Sequence, residues 1–208
     1  MGSSKGLDRI VAGIERALDE EDRLREATIK ATRAITRLAS GAMRKMHRGE
    51  EVARDLKSLR AEVDRLRVLL KSHPKMWHGG TVEGALQEVA EAQILHSFLR
   101  NRPLPTPEQV GVTPAAYVLG MGDAIGELRR LALDRMRVGR IPDATRFAEA
   151  MEDLFHALAR FDYPDAIVAV RHKQDVARSL LERTRGELAV AARSADLERK
   201  LARLAKGR

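Results

Sequence analysis

Apolar residues recur at intervals of three and four along almost the whole chain, and no stretch alternates at the period of two that a half-buried strand requires. That rhythm restricts the fold to helices. Ala, Leu, Arg and Glu, all good helix formers, fill the stretches between sparse glycines and prolines. The first helix is expected from Leu7 to His47, with Ile10, Ile14, Leu18, Ala27, Ala31, Ile35 and Leu38 on its apolar face and Arg48-Gly49 closing it. A second spans Glu50 to Lys71 and stops at Ser72-His73-Pro74, because the residue before a proline is pushed out of the helical region. The third runs from Thr81, as N-cap, to Arg100. Asn101 to Val112 holds Pro103, Pro105 and Pro107 and reads as a loop with at most one turn of helix. Thr113-Pro114 then supplies an N-cap and a first-turn proline for a fourth helix reaching Arg137. A fifth covers Asp143 to Arg160. A sixth runs from Asp165 to about Ser194, with an extension to Leu204, and the basic segment after about Asp196 is expected to fray. The expectation is one all-α domain over residues 1–208, a bundle of six to seven helices, since this length demands no second core.

Composition narrows the chemistry. Without cysteine the chain can build neither a disulfide framework nor a thiolate site, so a metal would be held by oxygen or imidazole. No apolar run approaches a membrane span and no signal pattern opens the chain, which leads to the expectation of a cytoplasmic protein with no membrane partner. A net charge of +8 favours a polyanion partner, nucleic acid ahead of an acidic membrane surface. Aromatic residues make up only 3% of the chain, too few for a base-stacking platform, so contacts to the nucleic-acid backbone fit better. Lys30, Arg33, Arg37 and Arg44 share one face of the first helix and are candidate phosphate contacts; the alternative is a solvated stripe paired with Glu26 and its neighbours. Trp77-His78 is either a packed plug or a stacking contact.

Two helices carry acids where their pattern asks for something else. In the third, Val82, Leu86 and Val89 form one stripe and Leu95, Phe98 and Leu99 the other, and Glu88 and Glu91 fall on the second, in the series 88, 91, 95, 98 of a helix seam. In the fourth, Tyr117, Met121, Ala124, Leu128 and Leu131 make the core stripe, while Asp123, Glu127 and Arg130 share a separate face. Gly120, Gly122 and Gly126 lie in that helix's interior, each at roughly 0.8 to 1 kcal/mol against alanine. Close approach of another backbone would compensate, and a divalent cation would relieve the repulsion among the acids. The competing reading is ordinary solvated charge. A dinucleotide loop at Gly120-Met121-Gly122 lacks a preceding strand. A di-iron bundle lacks its Glu-x-x-His pairs, and Asp153-x-x-His156 is a single instance of a related spacing.

These residues bring a family into view. The segments Leu86-Gln87-Glu88-Val89-Ala90-Glu91-Ala92, Val112 to Gly120 and Asp123-Ala124-Ile125-Gly126-Glu127-Leu128-Arg129-Arg130, with Arg146-Phe147, Asp153-Leu154-Phe155 and the late helix from Lys173 to Leu181, resemble the translin and translin-associated factor X family, within it the factor X branch. The resemblance implies an all-helical bundle assembling into a closed, octamer-like barrel that encloses RNA. It also implies a Mg²⁺-dependent endoribonuclease, as in the eukaryotic complex that promotes RISC activation. By motif, Glu88, Glu91, Asp123 and Glu127 match the acids of that active site, binding Mg²⁺ or Mn²⁺. Arg130 then either touches phosphate or neutralises the acids. The expected partners are RNA, with single-stranded DNA as a further ligand, and copies of the chain itself. The chain departs from animal factor X in its short loop between Arg100 and Gly111. Translin itself lacks most of these acids, so the alternative is a non-catalytic, translin-like scaffold for RNA or single-stranded DNA.

Overall fold

The computed structural model describes the backbone of residues 2–206 and the side chains of residues 6–205. Among the described residues there are eight helices and no strand: α1 (Gly2–His47), α2 (Ala53–Leu69), α3 (Pro74–Trp77), α4 (Gly80–Leu99), α5 (Pro107–Val110), α6 (Pro114–Arg137), α7 (Ile141–Leu158) and α8 (Arg171–Lys206). The two beyond the six read from the sequence are single turns set off by proline. At α5, Thr106 and Gln109 form a reciprocal capping box and Gly111, at φ +88°, closes the turn. Thr113 caps α6 by accepting the Ala116 N–H at 3.1 Å, with Pro114 at the first helical position.

Several boundaries differ from expectation: α1 starts at Gly2 rather than Leu7, α2 spans Ala53–Leu69 rather than Glu50 to Lys71, and α7 spans Ile141–Leu158 rather than Asp143 to Arg160. Thr81 is not the N-cap of its helix; the cap lies two residues earlier at Gly79, which makes no side-chain cap hydrogen bond, and α4 begins at Gly80. The last helix starts at Arg171 rather than Asp165. Residues 165–170 turn and extend to bury Val168 and Val170, and Gln174 Nε2 donates to the Leu158 and Phe161 carbonyls at 2.9 and 2.8 Å, satisfying the end of α7. The segment after Asp196, expected to fray, continues as helix to Lys206 with most of its side chains exposed; residues 207 and 208 of that tail lie outside the described residues.

α4 is the central element. It packs between α1 and α6, while α6 also packs on α7 and α8 and α1 on α2. Of the two apolar stripes read from its sequence, Val82, Leu86 and Val89 are all buried, while in the second Leu95 is buried and Phe98 and Leu99 are partly buried against the core. Of the two seam acids on α4, Glu91 is buried and Glu88 partly buried. No described helix is long and apolar enough to cross a membrane.

Candidate metal centre and nucleic-acid face

The approach of α6 to α4 is set by a missing side chain. A Cβ at Gly120 would stand 2.7 Å from Ala90 Cβ and 2.8 Å from the Gln87 carbonyl oxygen, so only glycine lets the two backbones meet here. That contact places Glu88 and Glu91 of α4 opposite Asp123 and Glu127 of α6. Gly122 serves another neighbour. A Cβ there would lie 2.9 Å from Lys173 Cβ, so its absence leaves room for the lysine stem to run along α6. Gly126 meets nothing within 4 Å, so the close approach of another backbone expected for the three glycines holds at Gly120 alone.

The four carboxylates influence one another strongly. Glu91 is only 8% exposed, and burial, followed by the charges of Asp123, Glu88 and Glu127, pushes its pKa up to about 8. Glu88 is also raised, first by burial and then by Asp123, with a weak opposing contact from Ser40 Oγ, which donates to Oε2 at 3.5 Å. The α6 acids are compensated. Lys173 Nζ and Gln87 Nε2 both donate to Asp123, one to each oxygen. His47, at the end of α1, contacts Glu127 through Nε2 and holds that carboxyl below the usual range, with the charge of Arg130 a minor contribution. Arg130 itself is exposed and makes no hydrogen bond to the acids among the described residues. His47 Nδ1 is buried without a partner. Among the described residues no three acidic or histidine side chains converge on one point as a finished ligand set, because Asp123 and Glu127 turn towards Lys173 and His47.

Lys30, Arg33, Arg37 and Arg44 all stand exposed on α1, and among the described residues none of them forms an ion pair, with Glu26 or otherwise. Arg33 and Arg37, with Thr32 and Thr36, wall a cleft of about 640 Å³ between α1 and α4. Its floor is Gly80, Thr81, Gly84 and Ala85, and it ends at Glu88. A basic entrance thus leads to the acidic centre. Trp77 is the plug of the two readings offered for it: it packs half-buried against the core under the Arg67 guanidinium, 5.1 Å from the ring centroid, while His78 pairs with Glu83 at 3.4 Å.

Sequence reasoning missed Ser40, His47 and Lys173. Lys173 does fall in the late segment that carries the family likeness, and Gly122 was the local sign that something lies against α6 there. His47 left no signal, being 80 residues from its partner.

Fold and site together define an all-helical bundle with an acidic centre between its two middle helices. Residues 22–185 match the model of the Translin family, and the chain belongs to that family. It is 30% identical over 190 residues to the uncharacterized protein MJ0175 of Methanocaldococcus jannaschii, covering 90% of this chain and 85% of that one. Among solved structures it is similar to the crystal structure of AfC3PO, with a TM-score of 0.81 and 30% identity over 88% of this chain and 97% of the other. The AfC3PO–duplex RNA complex aligns over the same shares with a TM-score of 0.71 and 26% identity. Apo-NeC3PO, at 19% identity over 86% of this chain and 96% of its own, shares the fold with a TM-score of 0.73.

Proposed function

We propose that this chain is a divalent-metal-dependent endoribonuclease of the translin-associated factor X type, acting on single-stranded or small structured RNA inside a closed homo-oligomer. The observation that carries the proposal is the meeting of Glu88, Glu91, Asp123 and Glu127 across the Gly120 contact, with the pKa values of Glu91 and Glu88 raised by burial and by their neighbours. The donor set fits a hard cation: four carboxylates in a partly buried site that is short of positive charge, and no thiol. Mg²⁺ or Mn²⁺ would be held by these four residues. When bound, such an ion supplies Lewis acidity that activates water and offsets charge on the phosphodiester.

The rest of the work falls to side chains of the chain itself. Arg33 and Arg37 hold phosphates along the α1–α4 cleft and deliver the strand to Glu88. Lys30 and Arg44 extend the same positive face. Lys173 neutralises Asp123 and His47 holds Glu127 through Nε2 while no cation is bound, which keeps the centre from repelling itself open. Arg130 acts through charge. The relation to AfC3PO, a protein solved with duplex RNA, supports an RNA ligand, and single-stranded DNA would follow the same backbone contacts.

One observation favours a second reading, an RNA-binding scaffold without catalysis: Asp123 and Glu127 already have cationic or histidine partners. The two readings separate in one experiment. The first expects cleavage of single-stranded RNA in Mg²⁺, abolished by EDTA and by Glu91→Gln or Asp123→Asn variants that remain folded by circular dichroism. The scaffold reading expects a mobility shift with RNA and no metal-dependent cleavage.

A further inference from the structure

The amino-terminal half of α1 carries Leu7, Val11, Ile14 and Leu18 in the alternating four-three spacing of a coiled-coil seam, and each is 44 to 61% exposed. The end of α8 follows the same rhythm with Val190, Leu197, Leu201 and Leu204, each 59 to 71% exposed, and with Ser194 as the one polar seam position among them. Both seams lie beyond the packed part of their helix. α1 has buried residues only from Thr28 onward, and α8 only as far as Thr184. Single apolar residues on a surface are ordinary, whereas two rows of four at heptad spacing are not.

Charge decides what each seam can pair with. On α1 the residue after each seam residue of one set is acidic: Asp8 after Leu7, Glu15 after Ile14, and Asp22 a heptad later. From Leu7 to Asp22 there are six carboxylates (Asp8, Glu15, Asp19, Glu20, Glu21 and Asp22) against Arg9 and Arg16. Two copies of α1 would therefore repel. On α8 the residue before Leu201 is Lys200, and Arg193 stands a heptad earlier. In a parallel two-stranded coil those flanking positions face each other across the seam. One register sets Leu7, Ile14 and Leu18 beside Val190, Leu197 and Leu201, with Glu15 facing Arg193 and Asp22 facing Lys200.

We propose that the amino-terminal half of α1 in one copy packs in parallel against the carboxy-terminal end of α8 in a second copy, with the acidic flank of one on the basic flank of the other. The surface is heterologous: it joins two different patches, so repetition propagates from copy to copy and closes when the rotation allows. The inference deepens the proposed self-association and is independent of cleavage.

The test is sedimentation of the full chain and its variants at one protein concentration. Ile14→Asp with Leu18→Asp, both at exposed positions, is expected to abolish the assembled species while circular dichroism stays native. Glu15→Lys with Asp22→Lys, and separately Arg193→Glu with Lys200→Glu, should each cause the same loss, and all four changes in one chain should restore assembly. Three results would overturn the interface: assembly indifferent to the reversals, no recovery in the four-site variant, or tighter assembly when the α1 acids are reversed, the sign of α1 pairing with α1. A monomeric wild type would overturn the proposed self-association as well, whereas indifference to the substitutions removes this interface alone.

Discussion

Glu91 ionises only near pH 8 because it is buried and faces three other carboxylates. Its folded pKa lies above the ordinary carboxylate value of 4.5, so its ionisation opposes folding. Through this group the metal-free chain is expected to lose stability as pH rises from about 4.5 to about 8 and to change little beyond. Glu127 works in the opposite sense: its lowered pKa stabilises the fold above the ordinary value and is lost as pH falls. Urea unfolding across that window, in EDTA, should therefore show a falling limb that Glu91→Gln flattens. Added Mg²⁺ should stabilise wild type increasingly towards pH 8, as the cation displaces the proton. A limb unchanged by Glu91→Gln would place the strain elsewhere. Glu88 and Glu91 stood out in the sequence because they interrupt an apolar seam, and Asp123 and Glu127 because they share a separate face of a glycine-rich helix and match the family's motif. His47 and Lys173 were not, since a contact across 80 or 50 residues leaves no periodicity to read.

At the scale of elements, the meeting of α4 and α6 sets the site, and the glycines of α6 separate what is required from what is tolerated. Gly120→Ala drives a methyl into Ala90 and the Gln87 carbonyl and is expected to destabilise by about 1–3 kcal/mol, the usual range for overpacking. Gly126→Ala enters open space and should stabilise by about 1 kcal/mol through helix propensity alone. Chemical denaturation of the two variants beside wild type checks both signs. The sequence marked all three glycines alike because propensity is a local property, whereas the neighbour that makes Gly120 indispensable belongs to another helix. The long helices and the Thr113-Pro114 start were legible for the opposite reason: caps and periodicity are written within the element. The late start at Arg171 was not, because the turn before it is fixed by the tertiary burial of Val170.

For the whole molecule, the proposed function makes charge and assembly decide what reaches the centre. Excess positive charge alone would bind RNA anywhere on the surface, but Arg33 and Arg37, which form no ion pair among the described residues, line a cleft that also reaches Glu88. Replacing both with Ala should weaken RNA binding and reduce the slope of log affinity against log salt by about 0.7 to 0.9 per lost phosphate contact. Titrations at several salt concentrations measure that slope, and an unchanged slope would move the RNA path off this face. The all-helical class was legible from period and composition, but the exposed seams proposed to join one copy to the next stand out only against the buried parts of α1 and α8. The most direct measurement of the central claim is cleavage of a labelled single-stranded RNA by the assembled protein in Mg²⁺, with RNA binding followed in the same samples. The account predicts that Glu91→Gln binds RNA as wild type does but cleaves no faster than the EDTA control. Native cleavage by that variant, or wild-type cleavage indifferent to EDTA, would contradict it.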